Sequence, residues 1–248
     1  MNTLYRFFFF PIIIFLTTCN YYEVHLNDAK QAMSENNFEK AIAEADKAIQ
    51  NRPEKAEAYN LRGVAYQNIN KIENARKDFV QSIELDSSNY KAYYNLGRIE
   101  IDENNHPDAI QYITKAIGLN PEETDLYNNR GVAYHAIGQT DLAIEDFTRA
   151  IVLDSSSSIA YSNRAKVFRS LTQWHEAIAD YTSSLSLKPD NGQNLFWLAD
   201  TYFQVNDPIS GCHWMKKSRD AGYEQARQAL EIRCSGDSGH SKEHNHSH

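Results

Sequence analysis

Apolar residues recur along the chain at helical spacing, and the whole pattern returns every 34 residues from Tyr22 onward. Positions are counted here from the first residue of each block: Tyr22, Ala56, Tyr90, Thr124, Ser158 and Gly192. Large apolar residues occupy positions 4, 11, 24 and 28, as in Tyr127, Tyr134, Phe147 and Ile151. Small residues occupy positions 8, 20 and 27 in every block, Gly131, Ala143 and Ala150 being one set. Positions 4, 8 and 11, and then 20, 24, 27 and 28, follow the i, i+4, i+7 rule of a helix with one buried face. Between the two runs fall Asn36-Asn37, Asn70, Asn104-Asn105, Gly138 and Asn206-Asp207, which predict a turn. Pro107 and Pro208 stand near the first turn of a second helix, where a missing N–H is harmless. Pro53, Pro121 and Pro189 close three blocks, and Ser87 and Ser155 replace proline within Asp-Ser-Ser runs that can cap the next helix. The pattern predicts an all-α chain of helix pairs over 22–55, 56–89, 90–123, 124–157, 158–191 and 192–225.

Two helices joined by a short turn approach closely only where side chains are small. Positions 8 and 20 are therefore expected at the crossing within a pair, and position 27 against the following pair. Each pair leaves an apolar face that a neighbour must cover, so stacking supplies the core. A period of 34 with small residues at 8, 20 and 27 resembles the tetratricopeptide repeat. The resemblance implies an α-α superhelix, a solenoid of six repeats, whose job is to bind a protein or peptide partner rather than to catalyse.

Three places depart from the pattern. In the first block His25, Asp28, Ala32 and Ala45 replace large apolar residues, which is expected of a terminal repeat with an exposed side. Glu100 occupies position 11, where other blocks carry Tyr or Phe. A carboxylate there must be paired or reach water; Arg98 and Arg130 are the cations expected near it, and a partner contact is the alternative. Beyond the sixth block, helix signals continue from Tyr223, predicting a capping helix over 223–234 that carries Gln225, Gln228 and Glu231 outward.

Met1 to Thr18 does not fit the repeat. Arg6 precedes a ten-residue apolar run, Phe7 to Leu16, too short to span a bilayer and suited to the core of a signal peptide. The run ends Leu16-Thr17-Thr18-Cys19, which resembles the lipobox of bacterial lipoproteins, with Thr18 standing where that family has Gly, Ala or Ser. The resemblance implies cleavage before Cys19 and acylation of its thiol, with residues 19–21 as a short tether. The chain is then expected in the bacterial cell envelope, bound to the membrane through its lipid, on a periplasmic or surface face. Of the three cysteines, Cys212 and Cys234 remain. They stand near the start of one helix and the end of the next, so antiparallel packing brings them together. An oxidising compartment favours a disulfide, two buried thiols being the alternative.

Residues 235–248 are polar, without periodicity, and read as a disordered tail carrying His240, His244, His246 and His248. Such a tract can hold a divalent metal weakly, which gives a second functional reading, metal handling. No other cofactor is expected. A formal net charge of −8 offers no basic stripe for nucleic acid. The chain carries no G-x-S-x-G, phosphate loop, H-E-x-x-H or paired CxxC, so no enzyme class is indicated. An accessory place in a larger envelope complex is the remaining alternative, and the sequence sets no oligomeric state.

In the tetratricopeptide family positions 2, 5, 9 and 12 face a concave groove. Carried onto this chain, the resemblance gives Asn60, Tyr94, Arg98, Ile101, Asn128, His135, Lys166 and Arg169 as a peptide-binding set, with Glu57, Val64, Lys91, Val132 and Ser162 beside them. The amides could hold an extended backbone, Tyr94 and Ile101 could anchor apolar groups, and the cations could meet acidic ones. Some members clamp a C-terminal carboxylate with Lys at position 5 and Asn at position 9, a pair that no block here contains.

Overall fold

The computed structural model describes residues 10–234, with side chains from Tyr21 onward. Arg6 and the histidines of the tail, His240, His244, His246 and His248, lie outside the described residues, as does the side chain of Cys19. The described residues form helices joined by tight turns, with no strand among them. They fall into two compact units that divide between Leu126 and Tyr127. The first holds α1 (Phe10–Ser34), α2 (Phe38–Asn51), α3 (Ala56–Asn68), α4 (Ile72–Leu85), α5 (Tyr90–Asp102) and α6 (His106–Leu119). The division cuts the first turn of α7 (Thr124–Ala136). The second unit continues through α8 (Thr140–Leu153), α9 (Ser158–Ser170), α10 (Trp174–Leu187), α11 (Gly192–Gln204), α12 (Pro208–Asp220) and α13 (Glu224–Arg233). The backbone of residues 19–21, read from sequence as a tether, is helical and continuous with the first repeat. Among the described residues no helix is long and apolar enough to cross a membrane.

The turn inside each pair is the same six times. Asn36, Asn70, Asn104, Gly138, Thr172 and Asn206 all adopt a left-handed backbone, with φ from 55° to 77°. This conformation lets the next amide reach back to a carbonyl of the last turn, as Lys71 does to Tyr66 at 2.9 Å and Gln139 to Tyr134 at 2.9 Å. Asparagine tolerates this region and glycine favours it. Thr172, at φ 58°, is β-branched and strained there, which is why composition alone did not mark it as a turn. Between pairs, Asp86 and Asp154 accept from the backbone N–H two residues on, each at 2.9 Å, folding the turn themselves. Of the two Asp-Ser-Ser turns, Ser157 caps the following helix, while Asn89 makes no side-chain cap bond to α5.

Within a pair the helices cross where the small residues fall. A methyl added at Gly63 would meet the ring of Phe79 at 2.6 Å, and one at Gly131 would meet Phe147 at 2.8 Å. At Gly97 the obstacle is Ile113, at 2.5 Å. Position 8 is glycine where position 24 is a forward-reaching phenylalanine or isoleucine, and alanine where position 24 is Ala45, Tyr181 or Met215. The sixth repeat reverses the arrangement, with Gly211 at position 20 lying under Phe203. The position-27 residues touch the following pair, as Ala48 meets Ala58 and Ala116 meets Leu126. Where position 27 is serine, its hydroxyl also donates to the first carbonyl of its own repeat: Ser82 to Ala56 at 3.0 Å, Ser184 to Ser158 at 2.8 Å and Ser218 to Gly192 at 2.6 Å.

A second contact repeats. Arg62 donates from Nε and Nη2 to both oxygens of Asp78, at 2.8 and 2.7 Å. Arg130 pairs with Asp146 and Arg164 with Asp180 in the same bidentate way. For two of them the third nitrogen reaches the preceding repeat, through Asp46 for Arg62 at 2.5 Å and Thr148 for Arg164 at 2.9 Å. Hydrogen bonding to Asp78 lifts the Arg62 guanidinium above its ordinary range, and Asp180 does the same for Arg164. Repeat three has Leu96 and Tyr112 at these two positions, both in one apolar cluster with Ala75, Phe79 and Ile99.

Two sequence expectations are corrected. Glu100 neither reaches solvent nor pairs with Arg98 or Arg130. It is buried, held by Arg76 of α4 and by Asn105 Nδ2 at 3.1 Å. Arg76 also holds Glu103 at 2.7 Å. The Arg76 guanidinium and the Asn105 amide, not exposure, are what accommodate a carboxylate there. Ala32 and Ala45 are fully buried, Ala32 in a core with Ala41 and Ala65. The first pair is small because its helices approach closely, not because these positions face water.

Two predictions follow from this packing. Gly131→Ala should lower the urea midpoint, because overpacking costs roughly 1–3 kcal/mol against a helix-propensity gain of about 0.8–1.0 kcal/mol. In a Phe147→Leu background the same change should raise it; a stabilising Gly131→Ala in the natural background contradicts the crossing. Asp180→Asn, which removes the charge partner of a half-buried guanidinium, should cost up to roughly 3–5 kcal/mol. Arg164→Leu with Asp180→Tyr, copying Leu96 and Tyr112, should recover most of that loss in equilibrium unfolding.

Candidate functional site: the inner helix faces

The inner helices of the first unit, α1, α3 and α5, turn residues of positions 2, 5, 9 and 12 to one side, except that Leu26, at position 5 of α1, is buried in the core. There they line a cleft of about 570 Å³ whose walls include Lys30, Glu57, Asn60, Val64, Tyr90 and Lys91. It adjoins a smaller one of about 280 Å³, reached by Asn60, Lys91, Tyr94, Asn95 and Glu123. Two of the residues proposed from sequence, Asn60 and Tyr94, therefore meet in one place. Asn95 Nδ2 donates to Asn60 Oδ1 at 3.2 Å, which fixes the Asn60 side chain and leaves its amide group for a ligand. Tyr90 donates to Glu123 at 3.3 Å, and Lys30 pairs with Glu57 at 2.7 Å on the rim. Arg98 is exposed, its guanidinium 5.8 Å from the Tyr94 ring centre. Ile101 is half-buried against the cluster of Ile113, Ala116 and Leu126, so only part of it remains for a partner. An apolar depression of about 540 Å³ lies on α6, an outer helix, and includes Ile110, Thr114 and Leu119.

The second unit treats its inner face differently. Asn163 Nδ2 donates to Asn128 Oδ1 at 3.0 Å, repeating the Asn95–Asn60 contact 68 positions on. Lys166 is exposed and donates to Asn163 Oδ1 at 3.1 Å. Ser162 is buried and donates to Asn194 at 2.8 Å. The His135 imidazole is half-buried with its Nδ1 unpartnered, and burial, with the nearby Lys166 charge, holds it below the usual histidine range. Arg169 does not offer free charge to a ligand. It is engaged by Asp200 and lies 4.3 Å over the Trp197 ring. Arg233 of α13 reaches the same Asp200 at 2.6 Å and stacks 4.3 Å over Phe203.

Sequence reading missed two features. The Arg–Asp pairs were visible as Arg at position 7 with Asp at position 23 in the second, fourth and fifth blocks. The meeting of Arg169, Asp200 and Arg233 carried no such signal, since its members recur in no other block. At the end of the chain Cys212 of α12 and Cys234 after α13 are joined as a disulfide with their Cα atoms 5.7 Å apart. Closing a loop of this length contributes about 3 kcal/mol by restricting the unfolded chain. It fastens the last helix to the sixth repeat.

Family models described as Tetratricopeptide repeat match residues 26–89, 65–123 and 124–157, together more than half of the chain. Among curated proteins the chain is similar to the photosystem I assembly protein Ycf3 of Cyanophora paradoxa, 28% identical over 94 residues. That match takes in 37% of this chain and 54% of the relative, so the chain spans about half the relative's length. Among solved structures it is similar to pilF of Pseudomonas aeruginosa, at 16% identity and a TM-score of 0.77, over 87% of this chain and 99% of that one. PilW, a type IV pilus biogenesis factor, gives 16% and 0.76 over 85% and 98%. YrrB, a TPR protein with an unusual peptide-binding site, gives 22% and 0.64 over 75% and 97%. At these identities the structural likeness speaks for the fold alone. With small residues at every crossing and six left-handed turns at a constant interval, the chain belongs to the tetratricopeptide repeat family.

Proposed function

We propose that this protein is a non-catalytic scaffold at the bacterial cell envelope, anchored by an acylated Cys19 and holding an extended peptide or protein segment in the cleft of its first unit. The observation that carries the binding mode is the convergence of Asn60, Tyr90, Lys91 and Tyr94 on neighbouring clefts. An extended segment presents backbone N–H and C=O groups that an oriented asparagine can meet, and side chains that aromatic rings can cover. The Asn95 contact holds Asn60 in place beforehand, which lowers the entropy lost on binding. The first unit is the favoured site because in the second Arg169 and Ser162 are engaged within the chain. Ycf3 and PilW are named for assembly and biogenesis, which accords with a scaffold.

Anchoring rests on the apolar run and on Leu16-Thr17-Thr18-Cys19. In a bacterial host, the natural protein should gain the mass of a lipid and enter the detergent phase, and Cys19→Ala should do neither. An unmodified, water-phase natural protein overturns the anchor. For the cleft, a photo-crosslinking residue at Asn60 or Tyr94 should give protein adducts that the same probe at Val80, 41% exposed on the outer helix α4, does not. Equal adducts from all three positions would contradict a cleft-bound segment.

A further inference from the structure

The first repeat holds an arrangement that no other repeat has. Helix α1 places His25 and Asp28 one turn apart on the same face, and α2 brings Glu44 to meet them. One ligand atom from each, an imidazole nitrogen and two carboxylate oxygens, all lie within 4.8 Å of one another. All three residues are half-buried. His25 Nδ1 and Glu44 Oε2 are 2.5 Å apart. Lys47 Nζ holds the other Glu44 oxygen at 2.8 Å, which orients the carboxylate and leaves Oε2 turned toward the histidine. The Tyr21 ring stands edge-on to the imidazole at 4.2 Å and limits its swing.

The equivalent positions elsewhere show what has changed. Asp28 stands where Arg62, Arg130 and Arg164 stand, and Glu44 where their partners Asp78, Asp146 and Asp180 stand. His25 replaces a tyrosine found at that position in the next four repeats. The guanidinium that elsewhere neutralises the buried carboxylate has itself become a carboxylate. Arg62 reaches into this repeat, but its nitrogens go to Asp46 and Asp78. Lys47 offsets one of the two carboxylates, and the second is left to repel the first as water is excluded. A divalent cation between them removes that repulsion.

We propose that His25, Asp28 and Glu44 form a binding site for a divalent transition-metal ion of the zinc type, with water completing the coordination. One imidazole and two carboxylates suit Zn2+, whose bonds to such atoms are about 2.0–2.2 Å, so tetrahedral neighbours stand about 3.3 Å apart. The 2.5 Å contact between His25 and Glu44 opens by less than about 1 Å to reach that spacing, and the third ligand closes by rotation about side-chain bonds. Ca2+ asks for six to eight oxygens, and Cu(I) for sulfur; three ligands of this kind supply neither. A bound ion joins α1 to α2, doing for the first repeat what the Arg–Asp pair does for the second.

The test uses the full chain with His240, His244, His246 and His248 replaced by alanine, so that the tail contributes nothing. Titration of this protein with Zn2+ in a calorimeter should show one strong equivalent, and Tm should rise with Zn2+. Asp28→Asn and Glu44→Gln, added separately, should each weaken binding at least about tenfold and abolish the Tm rise. Circular dichroism checks the fold of each, and Asp28→Asn, isosteric and away from the Lys47 contact, carries the test if Glu44→Gln unfolds. No Zn2+ uptake by the tail-substituted protein, or uptake that Asp28→Asn leaves unchanged, overturns the site.

Discussion

The close crossing of two helices, a small residue at position 8 facing a large one at position 24, is the contact on which the rest of this structure depends. It sets how near the helices of a pair approach, and so where the apolar residues at positions 4, 11 and 28 emerge for the next pair to cover. Gly63 under Phe79 and Gly131 under Phe147 give the same separation twice, because the ring fills the space that a methyl would need. The turn that follows is forced as tightly. It accepts a left-handed residue at one position only, and Thr172 is held there at φ 58° because the helices on either side over-determine it.

On this frame the polar contacts act as fasteners between repeats. Arg62 and Arg164 each grip a carboxylate of their own pair and an oxygen of the preceding one, so a charge on one helix fixes two neighbours at once. The chain does not need the ion pair to close a repeat, since Leu96 and Tyr112 serve in the third. That agrees with the small net worth of buried ion pairs relative to apolar packing. Where both its members are acids, at Asp28 and Glu44, the same location becomes a place for a cation rather than a fastener.

The helix pairs and their small crossings were legible in the sequence because each is a local pattern repeated many times. The partners of single polar residues were not. Glu100 could be seen to need a partner, but Arg76 lies on the outer helix of the preceding repeat, at a position that carries a basic residue in no other block. Arg169 read as groove charge, yet Asp200 of the next inner helix lies within its reach. The buried alanines of the first repeat read as tolerance for water because small side chains suit both a tight crossing and an exposed face. For the groove, position within the repeat placed Asn60 and Tyr94 together on the clefts. It could not tell that Ile101 lies half within the core.

No helix pair here holds itself together; stacking on its neighbours supplies its core. The most direct test compares circular dichroism and thermal unfolding of the full chain with those of the isolated pair 124–157, which contains Gly131 and Phe147. The full chain should melt cooperatively, while the isolated pair should be mostly unfolded in water, with a shallow, featureless temperature dependence. An isolated pair that is strongly helical and melts with its own cooperative transition would contradict it.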